Sequence, residues 1–215
     1  MMKRRWTGQA TGDDHRVALG VAPSDACAKP SPMADFQETL DDELVGFIGE
    51  QKLFFIATAP RHGRINLSPK GMDTLRVLDN RTVAYLDLTG SGNETAAHID
   101  DDGRVTMMFC SFGTKPNIVR LYGQGEVVRP QDPRFDELAA HFDEVPGARQ
   151  IIVLMIHSVQ SSCGYAVPFF SYEGERRTLE KWATKKGEEG LERYRARHNG
   201  ESIDGHPVAL PRPAK

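Results

Sequence analysis

The sequence predicts a mainly β fold with peripheral helices, in which six strands curl into a closed or nearly closed barrel. Three observations carry the prediction. Six segments have strand character, at residues 53–59, 64–67, 82–88, 105–112, 118–128 and 150–160. Their separators are turn-like, notably Pro60-Arg61-His62-Gly63, Asp79-Asn80 and Asp101-Asp102-Gly103. Helical patterning interrupts the strands only twice, and strands at such short spacing read as a barrel.

The elements follow in chain order. Residues 1–32 hold Gly, Ala, Ser, Pro and charge without apolar periodicity, so burial cannot offset the entropy of ordering them. They read as a disordered extension, with Met33-Ala34 a candidate start of the chain. Phe36, Leu40, Leu44, Phe47 and Ile48 then fall at helical spacing and predict an amphipathic first helix. A short helix is expected over Asn93–Ile99. Another opens at Asp132-Pro133, where an N-cap acceptor precedes proline at the first helical position, with Phe135, Leu138 and Phe142 as its buried stripe. After the last strand, Leu179 and Trp182 begin a helical stretch that continues through Gly187 and Gly190 to Leu191 and Tyr194. Ser202-Ile203-Asp204-Gly205-His206-Pro207 reads as a turn before a Pro-rich tail. The expected organisation is an extension over 1–32, one domain over 33–200 with a helical cap from about residue 175, and a tail over 201–215.

Composition narrows the function classes. The chain has 215 residues, 27 Lys and Arg against 30 Asp and Glu, a formal net charge of −3 and 39% hydrophobic positions. That suits one soluble domain able to bury a core unaided. A mildly acidic chain has no electrostatic footprint for nucleic acid or an anionic membrane. The longest apolar run, 151–156, is far short of the ~20 residues a bilayer span needs. Cys27, Cys110 and Cys163 are odd in number and lack CxxC spacing, which fits reduced thiols and a cytoplasmic location. Lys3, Arg4 and Arg5 resemble the start of a signal peptide, but Asp13, Asp14 and His15 interrupt the place of its apolar region.

Two stretches carry chemistry. Thr89-Gly90-Ser91-Gly92-Asn93-Glu94-Thr95 follows a strand and opens a helix. Glycines let backbone N–H groups converge on an anion, and the helix dipole adds to the attraction, so the geometry suits a phosphate. In this reading Asn93 caps the helix and Thr95 offers a hydroxyl. The same pattern also fits an ordinary capped turn. Upstream, Asn66 and Ser68 alternate on one face of a strand, where they suit a flat ligand while Leu67 packs into the barrel. Lys70 then offers a point charge at the strand end, although a lysine there also suits plain solvent exposure.

With these residues in place, the sequence resembles the pyridoxamine 5'-phosphate oxidase-like flavin proteins. The match runs through residues 53–58, 63–71, 83–87, 93–99, 103–109 and 119–127, about half the chain. The resemblance implies a six-stranded Greek-key split barrel of the FMN-binding type. It also implies an isologous homodimer with the cofactor at the interface, and oxidoreductase activity on a small substrate. It places FMN contacts at Asn66, Leu67, Ser68, Pro69 and Lys70, with Leu86 and Asp87 bordering the flavin. Gly92, Asn93 and Thr95 fall at the phosphate grip, and Arg120 on a later matching strand completes the set.

The departures from the family pattern are specific. Glu94 stands where the family has arginine, and an acid there repels a phosphate dianion unless it turns outward. The glutamine of the true oxidases is replaced near Ile118, and their C-terminal tryptophan and arginine segment has no counterpart, since Trp182 sits in a helical context. Pyridoxamine phosphate is therefore not the expected substrate. A non-catalytic dimer holding flavin, haem or deazaflavin is the alternative.

The remaining candidates carry less. His62, His98, His141, His157, His198 and His206 show no metal-binding spacing. His157, inside an apolar strand, reads as a core histidine. Cys163, between Ser162 and Gly164, has no base at a telling offset and reads as inert.

Overall fold

The computed structural model describes residues 34–210. The expectations for residues 1–32, Cys27 and the last residues of the tail lie outside that range. The described residues form one antiparallel sheet curled into a half barrel, with few helices. Its strands are β1 (Ala34–Gln37), β2 (Phe54–Thr58), β3 (Asn66–Lys70), β4 (Leu75–Asp79), β5 (Thr82–Leu88), β6 (Arg104–Cys110), β7 (Ile118–Val128) and β8 (Ala148–Ser162). They run in the order β3-β2-β6-β7-β8-β5-β4, with β1 pairing β8 beyond the end of β5. The helices are α1 (Asp42–Glu50), α2 (Glu94–Asp101), α3 (Phe135–Ala139) and α4 (Thr178–His198). Among the described residues no helix is long and apolar enough to cross a membrane.

Eight strands stand where the sequence predicts six. β4 escapes the period-two signal because Leu75, Arg76, Val77 and Leu78 are all half-buried, at a sheet edge. A turn with positive φ at Met72 and Asp73 introduces it. β1 replaces the expected opening of the first helix: its Phe36 is exposed and pairs with Gln160. The helix starts after Asp41, whose Oδ1 accepts the Leu44 N–H at 2.9 Å and caps it.

The core forms where the inward positions of alternating strands meet. In β2, Phe54, Ile56 and Thr58 point inward, as do Val105, Met107 and Phe109 in β6. Leu44 and Ile48 of α1, with Ala96, Ala97 and Ile99 of α2, close this cluster. α2 lies close on β7, where a Cβ at Gly125 would meet Ile99 and Val105 side chains at 2.6–3.0 Å. A second, smaller cluster covers the other face of β5 and β8 with α3. There Phe135, Leu138 and Phe142 are half-buried. α3 begins at Phe135, so Asp132 and Pro133 precede it. Asp132 Oδ1 accepts the Arg134 N–H at 2.9 Å.

α4 is two helices joined at Gly187, which has φ 64°. Trp182 and Tyr194 meet edge to face at 5.0 Å, whereas a straight helix holds residues twelve apart roughly 18 Å from each other. The chain therefore doubles back at Gly187. His157 is exposed on β8 rather than buried, because the period-two alternation that turns Ile156 inward turns Met155 and His157 outward.

Candidate functional site

A cavity of about 1100 Å³ lies where β3, the Gly90–Gly92 loop and the end of α4 converge. β3 is an edge strand, which tolerates Pro69. Its half-buried positions are Asn66, Ser68 and Lys70. Leu67 points the other way and is 65% exposed, so it does not pack into the barrel as the sequence reading had it. The polar face is internally ordered. Ser68 Oγ donates to Asn66 Oδ1 at 3.1 Å, and Asn66 Nδ2 donates to Thr95 Oγ1 at 3.3 Å.

Beneath Lys70 sits a buried ionic knot. Asp87 is 1% exposed; its Oδ2 accepts from Arg149 Nε at 2.7 Å and Gln150 Nε2 at 2.8 Å, and its Oδ1 from Lys70 Nζ at 3.3 Å. Burial pushes the carboxyl pKa up. Arg149, then Lys70, and the hydrogen bonds from Arg149 and Gln150 outweigh that and hold it at about 2. Tyr85 lies buried below, its ring 5.5 Å from Lys70 Nζ, and its hydroxyl pKa is raised by burial and by Asp87.

The glycine loop is fixed from behind. Arg149 Nη1 donates to Gly92 O and to Asn199 Oδ1, both at 3.0 Å. Asn199 Nδ2 donates to Gly90 O at 3.3 Å. Arg195 Nε donates to Thr89 Oγ1 at 2.8 Å and its Nη2 to Ala148 O at 3.1 Å. The end of α4 is thereby riveted to the loop.

The sequence-derived site residues fall into three groups. Asn66, Ser68, Pro69, Lys70, Gly92 and Thr95 line the cavity. Asp87 and Asn93 are buried behind it. Asn93 occupies the cap position of α2 without capping it; its Oδ1 accepts from Gln150 Nε2 at 2.8 Å and its Nδ2 has no hydrogen-bond partner. Leu67, Leu86 and Arg120 lie elsewhere. Leu86 packs in the second core cluster, and Arg120 Nη1 donates to Ser162 Oγ at 3.2 Å on the β7–β8 surface.

Sequence reasoning missed Arg149, Gln150, Arg195 and Asn199. A signal was present in the first pair, since Arg149-Gln150 opens an apolar strand, where two buried polar side chains require partners. Nothing local marks Arg195 or Asn199, whose partners in the glycine loop, Thr89 and Gly90, lie 106 and 109 residues upstream.

The turn 202–206 also reaches the site. Ser202 and Ile203 line the cavity, and Glu94 accepts the Ile203 N–H. His98 lines the cavity too, buried, with Nδ1 3.1 Å from Thr58 Oγ1 and Nε2 without a hydrogen-bond partner. Among the described residues no three His, Cys, Asp or Glu side chains converge as a metal site. Cys163 is exposed; Cys110 is buried, with its thiol pKa pushed up by burial. The arrangement can bind a ligand that is flat and polar along one edge and anionic at one end.

Comparison with known proteins gives a consistent grouping. The family profile described as pyridoxamine 5'-phosphate oxidase matches residues 40–163. A pyridoxamine 5'-phosphate oxidase family protein of Aspergillus flavus, ustO, is 38% identical over 195 residues, covering 81% of this chain and 78% of that protein. Among solved structures, an FMN-binding protein of Syntrophomonas wolfei is 15% identical with a TM-score of 0.42, covering 54% of this chain and 80% of its own. An FAD binding protein of Mycobacterium smegmatis is 16% identical with a TM-score of 0.41, covering 58% and 96%.

Proposed function

The chain belongs to the pyridoxamine 5'-phosphate oxidase family, and on that footing we propose that it is an FMN-dependent oxidoreductase acting on a small substrate other than pyridoxamine phosphate. The cavity carries the reading. FMN needs hydrogen-bonding groups along its ring edge and cations with backbone N–H groups at its phosphate. Asn66, Ser68 and Thr95 supply the first; Arg64, Lys70 and the Gly90–Gly92 loop supply the second. The residues present fit the group; among the described residues Nε2 of buried His98, on the cavity wall with Glu94 Oε2 3.9 Å away, makes no hydrogen bond, which fits a site that a ligand completes.

When bound, FMN supplies hydride transfer at its N5. The protein's own residues bind and orient. Lys70 gives one N–H to Asp87 and keeps two for a phosphate oxygen. Asp87 fixes the ammonium in place, and Arg149 holds both Asp87 and the glycine loop, so cation and loop share one support. Thr95 Oγ1 accepts from Asn66 at 3.3 Å, which holds the hydroxyl at the cavity wall. Ser202 and Ile203 form part of the cavity wall.

The substrate differs from pyridoxamine phosphate because the C-terminal segment is built differently. Trp182 packs on Tyr194 instead of lining the cavity. The test is turnover by purified, FMN-loaded protein with a nicotinamide donor and a small quinone acceptor. Hydride transfer supports the oxidoreductase reading. Tight flavin binding with no turnover across such pairs returns the non-catalytic binding reading.

A further inference from the structure

Glu94 stands where the family resemblance calls for a cation, and its contacts give it other work. We propose that the turn Ser202–His206 is a fixed wall of the ligand cavity and that Glu94 positions it, governing ligand binding through this wall and not by repelling the ligand's phosphate. The ligand in this inference rests on the flavin reading above; the wall rests on the contacts alone.

Both Glu94 carboxylate oxygens accept the Ile203 N–H, each at 3.1 Å. Glu94 itself lines the cavity, and its Oε2 also lies 3.9 Å from His98 Nε2, so the carboxylate is held between the turn and its own helix. The carboxylate also sits in the first turn of α2, where the helix dipole favours negative charge. Two further fastenings hold the same turn. Asp204 accepts the Arg64 N–H at 2.6 Å and pairs with the Arg64 guanidinium, and the Arg64 N–H holds the Asp204 carboxyl pKa below its usual range. His206 Nε2 lies 2.9 Å from His62 O. Glu201 and Pro207 bridge across the base of the turn, and beyond it Val208 enters the main core. Residues 199–208 are therefore docked at both ends, with Ser202 and Ile203 facing the cavity.

The two accounts of Glu94 predict opposite signs. If the acid repels phosphate, removing its charge tightens FMN. If it holds the wall, removing the side chain loosens the turn and weakens FMN. Glu94→Gln keeps a carbonyl acceptor for Ile203 while losing the charge, and so separates the two.

The experiment pairs amide hydrogen exchange over residues 200–206 of the apo-protein with equilibrium titration by FMN. In Glu94→Ala we expect exchange at Ile203 and its neighbours to speed up about tenfold or more, and FMN affinity to fall about tenfold. Glu94→Gln should stay within a few-fold of wild type in both. Asp204→Ala, which removes the second fastening, should loosen the same amides and serves if Glu94→Ala does not fold. Unchanged exchange in both alanine variants overturns the wall. Tighter FMN binding in Glu94→Gln and Glu94→Ala overturns it in favour of repulsion. A loosened turn with unchanged FMN affinity removes its part in binding. A wild-type protein that takes up no FMN removes the flavin reading instead, and exchange alone then decides the wall.

Discussion

Asp87 shows how a single carboxylate organises the site. It is buried, yet three contacts, from Arg149, Lys70 and Gln150, keep it ionised and hold its pKa at about 2, against an ordinary 3.8. A depressed native pKa stabilises the fold above the unfolded value, and that stabilisation is lost as pH falls through the native one. For Asp87 the window is therefore roughly pH 4 down to pH 2, and the contribution at neutral pH is on the order of 2 kcal/mol. Acid titration followed by circular dichroism should show stability falling across this window. In Asp87→Asn that component of the fall should disappear, with a lower neutral-pH stability to match. An unaltered acid transition in the variant would mean that the knot contributes nothing net.

At the scale of elements, what the sequence revealed depended on where each signal resided. β2, β5, β6, β7 and β8 were legible because each carries its own inward-facing apolar residues. α2 was legible from its glycine turn. β4 was hidden by uniform half-burial, and β1 by a spacing of Phe36 and Leu40 that suits a helix as well as a strand. In the site, Lys70, Ser68 and Thr95 could be read from local pattern, whereas Arg195 and Asn199 reach the glycine loop through partners brought near by the fold. The role of Glu94 was likewise hidden, since its partner Ile203 lies 109 positions away. β1 also makes a testable boundary. It pairs Ala34–Gln37 with Val159–Ser162, so a cut before it and a cut after it should differ. Deleting residues 1–32 should leave the melting temperature unchanged, because that segment lacks the apolar periodicity of a core element. Extending the deletion through Gln37 strips the end of β8 of a neighbour and should lower the melting temperature by several degrees. Equal melting temperatures for the two deletions would remove β1 from the stability account.

For the whole molecule, the unpartnered surface points to association. Ile65 and Leu67 on the β3 side, Met155 on β8, and Tyr165, Phe169 and Phe170 after it are all at least half exposed. Tyr165, Phe169 and Phe170, close together in sequence, are the densest group of these, with Phe170 packed on Phe112 at 5.1 Å, and a partner that covered them would remove exposed apolar surface. We propose a second copy of the chain as that partner, with the cofactor between the two, as the resemblance implies. Sedimentation at micromolar concentration should therefore give a dimer, and a monomer would count strongly against that arrangement. The central claim, that the cavity beneath the glycine loop binds FMN through Lys70, is tested most directly by titrating the apo-protein with FMN, wild type beside Lys70→Ala. A charge-assisted contact of this kind is worth roughly 1.5 to 3 kcal/mol. The account thus predicts saturable binding by the wild type and a loss of about tenfold or more in the variant. Equal affinity in the two, or no binding by the wild type, would contradict it.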